Sequence, residues 1–223
     1  MQKDLKPDYI AVTFDRRAPT FRDQLYKEYK AQRVKQPQEL YDQISLIKEF
    51  LSAWQVPIYE LDGFEADDVI GTLSREAKNV EVVIVTGDLD TLQLVNGHTR
   101  VYTLKKGLSD TFMYDELAVK ERYGLVPNQL IDYKALRGDP SDNIPGVKGV
   151  GEKTASELLQ KFGTLEKMYE ILEKGSVPQV TERVRKLLLD GKEMALLSKQ
   201  LVTIKCDAPI TFFLAETEVK PYD

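Results

Sequence analysis

Residues 81 to 90 read EVVIVTGDLD. Val82, Val83, Ile84 and Val85 form a short unbroken apolar run that a glycine and two aspartates bring to a stop. That pattern fits a strand covered on both faces better than one wetted on alternate residues. Working outward, the same grammar recurs. Upstream, VPIYEL, 56 to 61, precedes a helix from about 65 to 78 headed by GFEADDVIG. Earlier still, DYIAVTF, 8 to 14, ends at Asp15, and downstream RVYTL, 100 to 104, is a further strand. Strands alternating with helices predict an α/β fold, a mostly parallel sheet flanked by helices. Sites in such sheets form beyond the carboxyl ends of the strands, where Asp15, the Glu65 group and the Asp88/Asp90 pair all fall.

Helical spacing of Phe21, Leu25, Tyr26 and Tyr29 predicts a helix over 20–33. Leu40, Ile44, Ile47, Phe50 and Leu51 predict another over 38–54 with those residues as its buried stripe. Beyond Tyr114 the pattern turns helical, over 115–123, 127–137, 152–162, 164–173 and 178–199. The expected division is therefore an α/β domain, 1–113, and a helical region, 114–223.

With 42% apolar and 30% charged residues, the 223-residue chain has globular composition. Its single Cys206 cannot form an internal disulfide, and its single His98 disfavours zinc. No apolar run approaches the roughly 18 residues of a membrane span, and MQKDLKPDY lacks a signal core. A cytoplasmic protein without a membrane partner is expected. The net charge of -5 hides a local excess between Arg16 and Lys35, seven basic residues against two acids. Such an asymmetry matters more than the total when a polyanion is the partner.

Glu65, Asp67 and Asp68 crowd one helix start. At about 4 Å and an effective dielectric near 20, two such charges repel by roughly 4 kcal/mol, so three call for a positive partner. Asp88 and Asp90 flank one residue, and Asp139 and Asp142 share one face of GDPSDN. With Asp15 these are eight acids at four locations, an oxygen-only donor set of the kind that Mg²⁺ or Mn²⁺ takes. Two such ions about 4 Å apart can activate water and clamp a phosphodiester in displacement. Each acid also has a plainer reading, as a helix-start charge or a turn residue. A phosphatase with Asp88 as nucleophile is a further alternative.

RRAPTFRDQLYKEYKAQR interleaves cations with aromatics, the residue types that neutralise phosphates and stack on unpaired bases. A solvated helix face is the competing reading. NIPGVKGVGEKTASELL, from Asn143, places Gly146, Gly149 and Gly151 in a tight hairpin before a helix. Amides at a helix start attract anions, and Lys148 and Lys153 stand beside them. The arrangement, spanning about 139–162, is similar to a helix-hairpin-helix that grips a DNA backbone without reading its sequence.

Taken in order, FDRRAPTFR, EYKAQR, GFEADDVIGTL, VTGDLDTLQL and GDPSDNIPGVKGVGEKTA resemble the 5′→3′ exonuclease domain of bacterial DNA polymerase I and the related flap nucleases. The resemblance runs from about Lys6 to about Pro209. It implies a PIN-like or resolvase-like α/β core with a basic helical arch at about 16–35, then an H3TH-type helix-hairpin-helix. It implies Asp15, Glu65, Asp67, Asp68 and Asp88 around a first metal and Asp90, Asp139 and Asp142 around a second. Lys30 and Arg33 correspond to catalytic cations at the scissile phosphate, with Arg22 as a further phosphate contact. Gly146, Val147, Lys148, Gly149, Val150, Gly151, Lys153 and Thr154 correspond to the duplex-holding hairpin, a site also for K⁺. The implied substrate is nicked, branched or 5′-flap DNA, in replication and repair. A fused or separate DNA polymerase is the implied partner, in a monomeric, nucleoid-associated bacterial protein.

Members of this family begin with one more strand, ending in another metal-binding Asp, and DYIAVTF corresponds to their second strand. That departure predicts an internal start, a truncated gene or an expressed fragment. Its isolated form is expected to cleave poorly or to need a partner segment. A DNA-structure-binding protein without cleavage is the alternative from another functional class.

Overall fold

The computed structural model describes residues 5–106, 110–175 and 177–220. They form two compact units, each assembled from separated stretches of chain. The first comprises the described residues up to Phe21, Arg33–Asn79 and those from Lys205 on; the second comprises Arg22–Gln32 and Val80–Ile204. This is not a division near residue 113, because both units are discontinuous.

Along the chain run β1 (Val12–Thr13), α1 (Phe21–Leu25), α2 (Gln38–Ala53), β2 (Ile58–Tyr59) and α3 (Ala66–Glu76). Then come β3 (Val82–Val85), a 3₁₀ turn (Leu89–Leu94), β4 (Thr99–Lys106) and β5 (Asp110–Tyr114). The helices α4 (Glu116–Tyr123), α5 (Gln129–Arg137), α6 (Glu152–Phe162), α7 (Leu165–Lys174), α8 (Glu182–Asp190) and α9 (Lys192–Val202) follow. A second 3₁₀ turn spans Leu214–Thr217.

In the first unit β1 and β2 pair in parallel, Val12 with Ile58 and Thr13 with Tyr59. Tyr9 bridges Glu218 in antiparallel sense, and the Ile10 N–H donates to Thr217 O at 2.7 Å. The amphipathic α3 buries Val69, Thr72 and Leu73. The 38–54 expectation holds for the extent of α2 but not for its buried stripe. Only Leu51 is buried, while Leu40, Ile47 and Phe50 are exposed. Among the described residues, nothing in this unit covers that face.

In the second unit β3 pairs in parallel with β4, and β4 in antiparallel with β5. The mostly parallel α/β reading holds for β1–β2 and β3–β4, but the strands form two sheets, and the antiparallel β5 was not anticipated. The core gathers Val101, Val119, Leu136, Leu159, Met168, Leu172 and Leu188, each buried almost completely. Each such side chain stabilises the fold by about 1.5–3 kcal/mol. Helix starts are capped as propensity directs, with Asp115 accepting from Ala118 N at 2.8 Å and Thr164 and Thr181 serving likewise. Lys199 of α9 pairs with Asp132 of α5 at 2.6 Å and with Glu166 of α7 at 2.6 Å. Asp132 is buried and also accepts from Leu165 N at 2.9 Å, so one ion cluster latches three helices.

Two expected helices come out differently for identifiable reasons. The 178–199 helix is broken at Gly191, where a Cβ would stand 2.8 Å from Val147 Cγ1 and 3.1 Å from Leu187 O. The 20–33 helix stops at Leu25, because tertiary hydrogen bonds claim the following backbone. Lys30 N–H donates to Asp142 O at 2.9 Å, and the Glu28 carbonyl accepts from Asn143 Nδ2 at 2.7 Å.

Candidate active site and nucleic-acid interface

The two units each carry acids at the ends of their strands. In the first, Asp15 follows β1, and its Oδ1 accepts from Ala66 N at 2.7 Å, the first residue of α3. Asp68 closes a capping box with Glu65, its Oδ2 accepting from Glu65 N at 3.0 Å. Its Oδ1 accepts from Lys205 N at 2.8 Å, and the residue is completely buried. Asp68 thus clamps two backbone amides, and because each carboxylate oxygen keeps a second lone pair, these bonds leave it able to face a metal as well. Glu65 and Asp67 are half-buried and Asp15 is exposed. Helix N-terminal amides, positive in sign, supply part of the charge that these acids demand.

In the second unit, Asp88 caps the 3₁₀ turn, accepting from Asp90 N at 2.8 Å. Asp90 and Asp139 share the Lys134 ammonium of α5; Lys134 pairs closely with Asp90 Oδ1 and lies 2.6 Å from Asp139 Oδ2. The other Asp139 oxygen accepts from Ser141 N at 2.9 Å. The Asp139–Ile144 pair of backbone hydrogen bonds closes the GDPSDN turn. Asp142 is buried to 7% exposure and faces the Lys30 ammonium at 3.7 Å.

This cluster separates its carboxylates electrostatically. Burial pushes Asp90 above the usual carboxylate range, helped by the Asp88 and Asp139 charges and opposed by Lys134. Burial also acts to raise Asp139, but hydrogen bonds from Lys134 and Ser141 outweigh it and hold that carboxyl low. For Lys134, burial works against the charge, while Asp90 and Asp139 raise it above the ordinary lysine value. An acid turn with an internal ammonium was not foreseen. The signal lay in DYKALRGD, where Lys134 stands five residues before Asp139.

The donor set is all oxygen, as a hard divalent cation requires. Among the described residues, no group of three or more His, Cys, Asp or Glu comes together within one metal's reach. Lys134 instead supplies the positive charge between Asp90 and Asp139.

Beside this cluster lies a cavity of about 190 Å³, walled by Tyr123 and Tyr133 and reaching Asp90, Lys134 and Arg137. The two tyrosine rings meet edge to face at 6.1 Å, and Arg137 lies over Tyr133 at 5.8 Å.

Of the expected basic contacts, Lys30 is half-buried in the second unit, and Arg33 is exposed and belongs to the first. Arg22 is corrected. It is 2% exposed, and its guanidinium donates to Leu201 O at 2.7 Å and Thr203 O at 2.9 Å, capping the carboxyl end of α9. A buried fork spent on carbonyls is not offered to phosphate.

The hairpin joins α5 to α6 as expected, but its residues divide. Val147 and Val150 are buried, and their N–H groups donate to Leu136 O and Val147 O. Gly146 N donates to Ser198 Oγ at 3.0 Å. At φ 61 a Cβ on Gly146 would stand 2.2 Å from Gly138 N, so glycine serves close backbone packing there. The side chains of Val147 and Val150 and the amide of Gly146 are thus corrected from DNA contacts to supports. Lys148, Gly149, Gly151 and Lys153 are exposed, and Thr154 is half-buried.

Two family descriptions cover the chain. A 5′-3′ exonuclease N-terminal resolvase-like domain matches residues 1–124, and a 5′-3′ exonuclease C-terminal SAM fold matches 125–223. The chain belongs to the 5′-3′ exonuclease family. It is 46% identical over 222 residues to DNA polymerase I of Caldicellulosiruptor bescii, covering 98% of this chain and 26% of that protein. It is 44% identical over 225 residues to DNA polymerase I of Bacillus subtilis, covering 100% and 25%. The chain spans about a quarter of the length of these relatives. Among solved structures, the T5 D15 protein co-crystallised with metal ions matches with a TM-score of 0.74 at 23% identity, over 90% of this chain and 77% of that one. The catalytic core of Rad2 in complex with DNA substrate matches with a TM-score of 0.56 at 21% identity, over 87% and 64%. These last two likenesses bear out the fold. The family boundary at 124/125 falls at the turn between α4 and α5.

Proposed function

We propose that this family member hydrolyses DNA phosphodiesters from a free 5′ end, as a metal-dependent 5′→3′ exonuclease and 5′-flap endonuclease in replication and repair. The observation that carries the reading is the acid turn of the second unit. There Asp90 and Asp139 share the Lys134 ammonium, and Asp142 of the same turn faces the Lys30 ammonium, all within ion-pair distance. Acids and cations interleaved in this way can meet both a hydrated cation and a phosphate.

Asp88, Asp90, Asp139 and Asp142 in one unit, and Asp15, Glu65, Asp67 and Asp68 in the other, are the candidate holders of two Mg²⁺ or Mn²⁺ ions. When bound, such ions supply a hydroxide at neutral pH and neutralise charge on the phosphate. The chain's own groups do the rest. Lys30 and Arg33 orient and neutralise the reacting phosphate. The exposed Lys148, Gly149, Gly151 and Lys153, with Thr154 beside them, hold the duplex backbone, with K⁺ as a candidate ligand of the same hairpin. Nicked, branched or 5′-flap duplex is the substrate class, and a polymerase, fused or separate, is the partner that the relatives suggest. A monomeric, nucleoid-associated bacterial protein suits this role. Among the described residues no helix is long and apolar enough to cross a membrane.

The occupation of the acid pair by Lys134 favours a second reading, a DNA-structure-binding protein that does not cleave. Incubating the chain with a 5′-labelled flap duplex, with Mg²⁺ or with a chelator, tests both. Labelled products that require the metal are expected. Retention of intact duplex at saturating Mg²⁺ and Mn²⁺ would favour binding without cleavage.

A further inference from the structure

We propose that Asn143 is a positioning residue that ties the basic loop after α1 to the acid turn and sets where the Lys30 ammonium sits before any DNA arrives. The inference rests on the nuclease reading and assigns the preparation of its basic group. Lys30 and Asn143 both take left-handed backbone, with φ of 54° and 57°. Asparagine adopts that region readily; lysine does so at a cost that its surroundings must offset. Those surroundings are specific. Lys30 N–H donates to Asp142 O at 2.9 Å, Asn143 Nδ2 donates to Glu28 O at 2.7 Å, and Gln32 Nε2 donates to Pro140 O at 2.7 Å.

None of these ties depends on a pair of opposite charges, so salt will not loosen them as it does surface ion pairs. The Lys30–Asp142 ion pair, 3.7 Å long, is beyond hydrogen-bond reach and leaves the course of the loop backbone to these ties. Tyr29, 6% exposed, anchors the same loop in a cluster with Ile144, Leu201 and Val202. Asn143 thus stands between Asp142, which faces Lys30, and Ile144, which packs on Tyr29. Its amide joins the two neighbourhoods. The consequence is a cation that is set in advance, so binding does not have to order it.

The test uses Asn143→Gly, which keeps the left-handed backbone and removes only the amide, with Lys30→Ala and the double variant. Gln32→Ala, an exposed change at the other end of the tie, guards against a fold effect. Affinity for a 5′-flap duplex is measured in chelator, and exchange of the Lys30 amide proton without DNA. Lys30→Ala is expected to weaken binding roughly fivefold, Asn143→Gly about as much, and the double variant no further. Lys30 amide exchange is expected to quicken at least about tenfold in Asn143→Gly and by less in Gln32→Ala. Losses that multiply in the double variant, or unchanged exchange, would overturn the proposal. Should the unaltered chain not bind the duplex at all, the DNA reading falls, and the exchange comparison alone decides the tie.

Discussion

Asp68 and Asp142 carry the same carboxyl group in opposite employment. Asp68 spends both oxygens on amides inside the first unit. Asp68→Asn turns an acceptor into a donor facing an N–H, and is expected to cost about 1–3 kcal/mol, read as a lower urea midpoint. Asp142→Asn keeps its size and is expected to hold stability within about 1 kcal/mol while lowering cleavage about a hundredfold. A cleavage assay beside the urea curve separates the two. Gly146→Ala belongs with Asp68, since its Cβ would enter the Gly138 backbone. Overpacking of that kind costs about 3 kcal/mol, which the urea curve of the purified variant would read. The kind of chemistry at each acid was legible in the sequence. Which oxygen is already committed was not, because the Asp68 partner Lys205 lies 137 residues away.

At the level of elements, periodicity found nearly every helix, and it failed where a distant partner took over. The 178–199 pattern carries its break at Asp190–Gly191, a turn pair that apolar periodicity passes over, and the closeness of Val147 is why glycine suits that point. The stripe of α2 read as buried, although few of its residues are covered in this unit. The latch between α5, α7 and α9 was equally invisible, since Asp132, Glu166 and Lys199 share no motif. It makes a prediction with a sign. Lys199→Met leaves the buried Asp132 without its cation and is expected to cost about 3 kcal/mol at neutral pH. Glu166 is held below its ordinary value, with burial opposing and the Lys199 hydrogen bond prevailing. Its share is therefore present above the unfolded carboxylate range and lost as pH falls through the lowered folded value. Lys199 is raised against its burial by the same partners, so its share is full below the unfolded lysine value and fades as pH climbs through the raised one. Midpoint differences between variant and parent should stay level from about pH 6 to 9 and shrink at both extremes. Equal differences at pH 3 and pH 7 would speak against the latch.

Across the whole molecule, motif order identified the family, whereas the division into units was beyond a linear reading. Arg22–Gln32 belongs with Val80–Ile204, although 47 residues of the first unit, Arg33–Asn79, come between. Cutting the chain at one point therefore cannot release the second unit intact. A fragment of residues 80–204 would lack the Arg22 cap on α9 and the Tyr29 plug beside Leu201. It is expected to melt well below the parent chain, by 5 °C or more as roughly 1 kcal/mol is lost. A peptide of residues 20–34 added in excess should recover part of the difference. An unchanged melting temperature would show that the strip is dispensable.

That strip has a further consequence for birth on the ribosome. The Arg22 guanidinium and the Leu201 carbonyl that it caps are separated by 179 positions in sequence. At bacterial elongation rates the wait is on the order of ten to forty seconds. During that interval a cationic, tyrosine-bearing segment protrudes from the nascent chain with no finished pocket to enter. Chaperones or nucleic acid near the exit tunnel would meet it first, so completion of α9 decides when this basic segment is withdrawn from competition.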